Sequence, residues 1–124
     1  MVFLINESNS AKQLPVSVIA RAVKSPAAYT SKILQKLNHA KLILSTKGHL
    51  GGYYILDERK NEIFLRDVIK VIDGEQIFSV CVLGFPKCSD SKPCALHHTF
   101  KHLRDDLRNK IAVTKIIDLM LENP

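Results

Sequence analysis

Three cysteines and a histidine lie close together in the sequence and could bind a metal. Cys81, Cys88, Cys94 and His97 form the pattern C-x6-C-x5-C-x2-H, and the rest of the 124-residue chain contains no other cysteine. Thiolates are ligands of zinc and of iron–sulfur clusters, and an imidazole can complete either ligand set. Structural zinc sites usually use cysteine pairs with two to four intervening residues, so these wider loops suit a larger cofactor. The cysteine pattern therefore predicts a metal centre.

The sequence leaves other roles open for these thiols. The cysteines could bind zinc, act as a direct thiol sensor, or simply be buried, because cysteine is among the most buried residue types. Burial fits poorly with a segment that also contains Gly84, Pro86, Lys87 and Pro93. An odd number of cysteines argues against a disulfide scaffold, and the N-terminus lacks the features of a secretory signal. We therefore expect a cytoplasmic protein with reduced thiols.

The positive charge is concentrated in the first half of the chain. Residues 1–56 contain seven lysines and arginines and one acid, Glu7, whereas residues 57–124 contain eleven basic and eleven acidic residues. Scattered lysines can serve solubility alone, but a chain that is basic in one half is also typical of polyanion-binding proteins. The apolar runs are far shorter than the roughly 20 residues of a membrane span. The charge distribution therefore favours a nucleic-acid partner, and no membrane is expected.

Two short helices with a tight connection are predicted in the basic half. Apolar residues recur every three or four positions over residues 15–23. A second helix is expected to start at Ser25 and Pro26, because serine can cap a helix and proline is tolerated at its first position. Its apolar stripe consists of Tyr29, Ile33, Leu34 and Leu37. The connection of about three residues predicts a helix-turn-helix.

A glycine-rich hairpin follows the second helix. Residues 42–45 and 53–56 are rich in strand-forming side chains, and the loop between them contains Gly48, Gly51 and Gly52. These glycines allow positive φ and close approach of the backbone to a neighbour. The order helix, turn, helix, hairpin is that of a winged helix. The predicted fold class is mainly α with a small β-hairpin wing.

The second half of the chain is predicted to be helical on both sides of the cysteine loop. Residues 63–65 could form a short strand. A helix over residues 65–74 would bury Val68, Ile69 and Ile72 and have Gly74 at its C-cap. From Leu96, a helix of about four turns carries the apolar stripe Phe100, Leu103, Leu107 and Ile111. A last short helix, opened by Thr114 and Asp118, carries Ile116, Ile117, Leu119 and Leu121.

The helix-turn-helix and wing residues form a pattern that spans roughly residues 14–120. Its most specific part is the wing, where Lys47 precedes Gly48, Gly51, Gly52 and Tyr53. Further parts of the pattern are Ile19, Ala20, Ser25–Tyr29, Lys32–Leu34, Leu37, Ala40, Ser45, Asp67, Val68, Asp73, Gly74, the three cysteines and Leu119. The sequence resembles the Rrf2 (Rrf-two) family of bacterial winged-helix transcription regulators.

This resemblance implies a homodimeric repressor that pairs through the long C-terminal helix and binds a pseudo-palindromic operator. It also implies an iron–sulfur cluster, for which we favour the two-iron, two-sulfur form, that senses redox, nitric oxide or iron status. Its ligands would be the three cysteines and His97 rather than His98. We divide the single domain into a winged-helix DNA-binding region (1–80), a cysteine-rich cluster loop (81–97) and a C-terminal dimerisation region (98–124).

Two positions depart from the family pattern. Members usually begin with a longer first helix, and residues 1–5 look like only its tail. A fourth cluster ligand from such a helix is therefore not expected here. Lys41 occupies the position where a glycine commonly ends the recognition helix, and a left-handed conformation would cost lysine about 1 kcal/mol.

The resemblance also assigns DNA contacts within the basic half. Exposed positions at the start of the second helix would face base edges in the major groove, while nearby lysines would contact phosphates. The wing would enter a minor groove. The predicted DNA-binding residues are Lys24, Ser25, Pro26, Ala28, Tyr29, Ser31, Lys32 and Lys36 at the helix, and Thr46, Lys47, Gly48 and His49 on the wing.

Two other classes of function were weighed. An enzyme is not expected, because the sequence shows no paired catalytic carboxylates, no Ser/His/Asp order and no phosphate-binding loop before a helix. The basic face could instead bind an acidic protein, which would make the domain an interaction module. Salt dependence distinguishes the two, because phosphate contacts weaken steeply as salt rises.

Overall fold

The computed structural model describes residues 1–119, which form five α-helices and a two-stranded hairpin. The helices are α1 (Val2–Glu7), α2 (Val16–Val23), α3 (Ala27–His39), α4 (Leu65–Ile72) and α5 (His97–Val113), and the strands are β1 (Leu44–Thr46) and β2 (Gly52–Tyr54). Short 3-10 turns lie at Asp57–Arg59 and Glu75–Phe78. The predicted fold class is confirmed. None of the helices in the described part of the chain is long and apolar enough to cross a membrane.

The turn between α2 and α3 depends on an unusual lysine. Lys24 has a left-handed backbone with φ of 56°. Its N–H donates to the Arg21 carbonyl at 3.3 Å, and the Ser25 N–H donates to the Ala20 carbonyl at 3.0 Å. This pair of bonds closes the end of α2 in the way that a glycine usually does. The short connection confirms the predicted helix-turn-helix.

Two details of α3 differ from expectation. Ser25 does not cap the helix: the N-cap residue is Pro26, and no side chain accepts a capping hydrogen bond there. The first buried position is Thr30, whereas the side chain of Tyr29 is 61% exposed. One residue along a helix turns the side chain by about 100°, so Tyr29 lies beside the buried stripe and not in it. Leu34 and Leu37 are buried as predicted.

The core lies where α1, α2, α3 and the segments around the hairpin meet. Its buried apolar residues are Leu4, Ile5, Leu14, Ile19, Leu34, Leu37, Ile43, Ile55, Ile63 and Ile116. The buried Ser8 hydroxyl donates to the Leu4 carbonyl at 2.5 Å and accepts the Ile55 N–H at 3.2 Å. The bond between Ser8 and Ile55 attaches the end of α1 to the chain that follows β2. The N-terminal segment is thus a helix of its own that contributes to the core.

The wing is an antiparallel pair in which Leu44 lies opposite Tyr54 and Thr46 lies opposite Gly52. At its tip, Gly48 has φ of 107°, a conformation that other residues rarely adopt. A side chain at Gly51 would place its Cβ 2.0 Å from the Thr46 carbonyl oxygen. Both uses predicted for the wing glycines are therefore present.

The base of the wing is joined to the segment before α2. Leu14 and Tyr53 exchange backbone hydrogen bonds of 2.9 and 2.8 Å. Gly52 makes this approach possible, because a Cβ there would lie 2.5 Å from the Leu14 carbonyl. The wing is therefore fixed to the entry of the helix-turn-helix.

The predicted strand over residues 63–65 is reduced to one bridge. Phe64 pairs with Lys115, while the Ile63 carbonyl accepts the Ile116 N–H at 2.9 Å. The predicted burial of Val68, Ile69 and Ile72 in α4 is only partial: all three are half-buried, and Val68 and Ile72 pack against the core. The helix ends one residue earlier than expected, and Gly74, with φ of 74°, follows the C-cap.

The apolar stripe of α5 divides into a buried end and an exposed middle. Ile111 is buried and Phe100 is half-buried, but Leu103 and Leu107 are 56% and 52% exposed. After α5, the Lys115 N–H donates to the Asp118 carboxylate at 3.2 Å. Leu121 of the predicted last helix lies outside the described residues. The result is an exposed apolar ridge, Leu103 and Leu107, one turn apart.

Candidate functional site

The predicted DNA-binding residues are almost all accessible. Two of them, Ser25 and Ser31, are half-buried. The exposed ones are Lys24, Pro26, Ala28, Tyr29, Lys32, Lys36, Thr46, Lys47, Gly48 and His49. The Ser31 hydroxyl accepts a hydrogen bond from the Gln35 side chain at 3.2 Å. Lys32 and Lys36, one turn apart, line one groove beside Val71 of α4. These two lysines therefore share one face of α3.

Few acidic groups oppose the charge of this surface. The sequence contains no acid between Glu7 and Asp57. Among the side chains that the structure describes, the salt bridge in the basic half joins Lys12 to Glu7 at 3.8 Å, and the cations of α3 and the wing have no carboxylate partner. Uncompensated, exposed cations attract a polyanion through release of its counterions.

The three cysteines come together in space. Their sulfur atoms all lie within 4.8 Å of one another, and those of Cys81 and Cys94 are 3.7 Å apart. The Cys94 N–H donates to the Cys88 sulfur at 3.4 Å. All three residues are half-buried free thiols. The loop thus brings together three soft ligands, the first and last of which are thirteen positions apart in the sequence.

His97 approaches the same group from the first turn of α5. Its Nδ1 atom lies 3.1 Å from the Cys88 sulfur, and its side chain is 9% exposed. His98 is exposed and packs edge-on against His97, with ring centroids 5.2 Å apart. His97, and not His98, therefore faces the cysteines. Sequence analysis did not single out Asp90, which contacts the other ring nitrogen of His97 at 2.8 Å.

The surroundings give the thiols of Cys81 and Cys88 different pKa values. Burial opposes ionisation of Cys81, but hydrogen bonds from the Phe85 and Leu83 backbone and from the other thiols outweigh it and lower its pKa to about 7. For Cys88, the Cys94 N–H favours the thiolate, yet desolvation and the neighbouring sulfurs prevail and raise its pKa. Cys81 is therefore more readily converted to a thiolate than Cys88.

The same contacts affect the acid beside the histidine. Hydrogen bonds from Lys101 and then from His97 lower the pKa of Asp90 to about 2. Asp90 is therefore a carboxylate at neutral pH.

The donor set fits a metal centre. Three sulfurs and one imidazole nitrogen are soft ligands that suit zinc or iron. A single tetrahedral ion with metal–sulfur bonds of about 2.3 Å holds its sulfurs about 3.8 Å apart, close to the Cys81–Cys94 separation of 3.7 Å. A two-iron cluster places ligands on different irons farther apart, so one sulfur would have to move outward to bind it. The residues therefore fit a single ion, and they fit a two-iron cluster once one sulfur has moved.

Comparisons with known proteins agree with the fold. The family described as "Rrf2: Iron-dependent Transcriptional regulator" matches residues 1–122. An HTH-type transcriptional regulator of Aquifex aeolicus (strain VF5) is 27% identical over 114 residues, which cover 90% of this chain and 78% of that protein. The HTH-type transcriptional regulator IscR of Pectobacterium atrosepticum is 25% identical over 108 residues, which cover 85% of this chain and 65% of IscR.

Solved structures share the fold at lower identity. CymR (YrzC), the global cysteine regulator of B. subtilis, superposes with a TM-score of 0.77 at 22% identity, covering 99% of this chain and 88% of CymR. IscR of T. potens superposes with a TM-score of 0.71 at 19% identity, covering 99% and 79%. Regulators of this family bind DNA and are not enzymes. Since the family match covers nearly the whole sequence, the chain belongs to the Rrf2 family of transcriptional regulators.

Proposed function

We propose that this regulator is a cytoplasmic, homodimeric repressor that binds a pseudo-palindromic DNA site and responds to the state of a metal centre. The observation that carries the proposal is the uncompensated positive charge on α3 and the wing, in a chain whose second half gathers three thiols. In this proposal residues 1–80 bind DNA, residues 81–97 bind the metal, and residues 98–124 form the dimer. Each part has its own supporting observation.

The DNA contacts are proposed from exposure and charge. Lys32, Ser31 and Ala28 would face base edges, and Lys32 could donate to a guanine in the major groove. Lys24, Ser25 and Lys36 would contact phosphates, and Pro26 and Tyr29 would lie close to the DNA. Thr46, Lys47, Gly48 and His49 would place the wing tip against a minor groove. The exposed position of Tyr29 supports this role over a role in the core.

The dimer is proposed from the α5 ridge. Leu103 and Leu107 are each more than half exposed and lie one helical turn apart. Pairing two such helices about a two-fold axis would cover both ridges at once. The same symmetry would set two recognition helices about 34 Å apart, which is one turn of DNA.

The metal centre is proposed as an iron–sulfur cluster held by Cys81, Cys88, Cys94 and His97. The clustered sulfurs, the nearby imidazole and the family's iron-dependent description support it. When bound, such a cluster would supply a group that changes with redox potential, nitric oxide or iron supply. A single zinc ion is the second candidate, because the mutual sulfur distances within 4.8 Å match one tetrahedral ion more closely.

Contacts between the loop and α5 offer a route from metal to DNA. Arg108 donates to the Phe78 carbonyl at 2.8 Å and lies over the Phe78 ring, and Arg104 donates to the Val80 carbonyl. The segment just before Cys81 is therefore fastened to α5. A change in how the loop is held would be transmitted to the helix that forms the dimer.

The DNA-binding part is tested by selecting sites from random duplexes and measuring their affinity. We expect a two-fold symmetric site, and a loss of roughly a thousandfold in affinity between 50 and 200 mM salt if about six phosphates are contacted. A protein-interaction module would show no selected sequence and a shallow salt dependence, which would contradict the proposal.

The metal part is tested by anaerobic purification followed by iron, sulfide and zinc analysis. Two irons and two sulfides per chain support the two-iron cluster, whereas one zinc per chain supports the second candidate. Operator affinity is then compared between loaded protein, stripped protein and Cys88→Ala. Equal affinities in all three would overturn the proposed regulation while leaving the DNA-binding role intact.

A further inference from the structure

We propose that Asp90 is a positioning residue that holds the His97 ring with Nδ1 directed at the Cys88 sulfur, and so determines which ring nitrogen is offered to a metal. This inference rests on the proposed metal centre, because it assigns a role beside His97. Asp90 itself contacts neither a cysteine sulfur nor the proposed metal position. It would act only through the histidine.

Asp90 joins two residues that lie one turn apart on α5. Its Oδ1 atom is 2.8 Å from His97 Nε2, and Lys101 donates to Oδ1 at 3.0 Å and to Oδ2 at 2.8 Å. Because Lys101 is four residues after His97, both side chains leave the same face of the helix. The lysine therefore holds the carboxylate beside the histidine ring.

The loop that carries Asp90 is itself held in a tight turn. The backbones of Ser89 and Lys92 exchange hydrogen bonds of 3.2 Å, and the Lys92 N–H also donates to the Ser89 hydroxyl at 3.2 Å. Asp90 lies inside this turn, between Cys88 and Cys94. One short segment thus presents two sulfur ligands and the carboxylate that orients the histidine.

The contact with Asp90 decides the form of the imidazole. A carboxylate accepts, so the neutral ring that binds it carries its proton on Nε2 and has an unprotonated Nδ1. That nitrogen lies 3.1 Å from the Cys88 sulfur, on the side of the thiol cluster. Metal-binding histidines commonly donate their other N–H to a carboxylate in this way, and loss of the partner typically costs 10–100-fold in metal affinity.

A surface ion pair is the competing explanation, because the Asp90 side chain is 66% exposed. An ion pair with Lys101 would steady the loop without affecting the ring. The two explanations differ in what they predict for the imidazole tautomer. They also differ in whether asparagine, which keeps an acceptor oxygen, can replace Asp90.

The first measurement uses the metal-free, reduced protein labelled with nitrogen-15. In the native protein and in Asp90→Asn, we expect the ring nitrogens of His97 to report the tautomer protonated at Nε2. In Asp90→Ala the proton should redistribute between Nε2 and Nδ1. Asp106→Asn serves as the control, since Asp106 is an exposed acid on α5, the helix that carries His97. An unchanged tautomer in Asp90→Ala would overturn the inference.

The second measurement titrates the reduced protein with Co²⁺, whose visible absorption reports thiolate and imidazole ligands. Asp90→Ala should weaken Co²⁺ binding 10–100-fold, and Asp90→Asn by less than tenfold. Equal losses in both variants would point to the ion pair and contradict the positioning role. Native Co²⁺ affinity in His97→Ala would instead remove His97 from the proposed ligand set, a failure that the tautomer measurement distinguishes from a failure at Asp90.

Discussion

Lys24 and Lys41 adopt the same left-handed backbone conformation at opposite ends of α3, with φ of 56° and 62°. Within residues 1–119 they are the two non-glycine residues with positive φ. At the second position, the Lys41 N–H donates to the Asn38 carbonyl and the Leu42 N–H donates to the Leu37 carbonyl, both at 3.0 Å. Helix α3 is thus bounded by two lysines in places where glycine is usual.

Replacing either lysine with glycine should stabilise the protein. A left-handed conformation costs a residue with a Cβ about 1 kcal/mol, so Lys24→Gly and Lys41→Gly should each raise the free energy of unfolding by up to about 1 kcal/mol. Urea unfolding followed by circular dichroism measures this change. The two variants should differ in DNA affinity. Lys24→Gly should weaken DNA binding and Lys41→Gly should not, because Lys24 is proposed to contact phosphate and Lys41 is not. A loss of stability in both variants would show that the lysine side chains hold the turns.

Much of this fold follows from periodicity and turn chemistry. The helix-turn-helix, the glycine wing and the long C-terminal helix lie within a few residues of their predicted positions. Periodicity could not decide which of the neighbours Tyr29 and Thr30 is buried, because the tyrosine ring is largely apolar and threonine is polar. The left-handed conformation of Lys24 had no signal, since lysine gives no indication of positive φ.

The ligands of the candidate metal site were predictable from the sequence, but their geometry was not. Spacing along the chain identified the cysteines, yet only the folded loop shows how close the sulfurs are. Asp90 was missed because a lone acid in a lysine-containing loop looks like ordinary surface charge. Its relation to His97 depends on Lys101, one helical turn further on, and such a contact becomes visible only when loop and helix are placed together.

A methyl group at the base of the wing should be costly. In Gly52→Ala the new Cβ would lie 2.5 Å from the Leu14 carbonyl and would break its pairing with Tyr53. We expect the free energy of unfolding to fall by about 2 kcal/mol in denaturant titrations. Ser45→Ala is the control, since Ser45 is an exposed residue of the same hairpin. Native stability of Gly52→Ala would mean that the wing can detach from Leu14 without penalty.

Lys32 and Lys36 should affect DNA recognition differently. Lys32→Ala should cost about 1–3 kcal/mol on the selected site and relax the preference at one base pair. Lys36→Ala should weaken binding to all sequences equally and lower the salt slope by about one. Lys12→Ala is the control, because Lys12 already pairs with Glu7. Fluorescence anisotropy with the selected site and single-base variants gives both quantities. Identical specificity profiles for the first two variants would contradict base contact by Lys32.

In the metal-free protein, Cys81 should react faster than Cys88 near neutral pH. The thiolate is the nucleophile, and the pKa of Cys81 is lowered to about 7 while that of Cys88 is raised. Alkylation of Cys81 by iodoacetamide should therefore accelerate as pH rises through 7, with Cys88 following only at higher pH. Peptide mass spectrometry after brief labelling resolves the sites. Loading with zinc should protect both thiols, and equal labelling rates at pH 7 would contradict the assigned order.

The exposed ridge of α5 should control both assembly and DNA affinity. Leu103 and Leu107 are more than half exposed, and burying each against a partner helix would stabilise a dimer by about 1–2 kcal/mol per side chain. A charge introduced there would have to be desolvated in the dimer, so Leu103→Lys with Leu107→Lys should give a folded monomer in sedimentation experiments. Asn109→Lys adds charge to the same helix two residues beyond the ridge and should leave the dimer intact. A dimer that survives both lysines would place the interface elsewhere. If the variant is a monomer, it can occupy only one half-site, so it should bind the full operator no more tightly than a half-site.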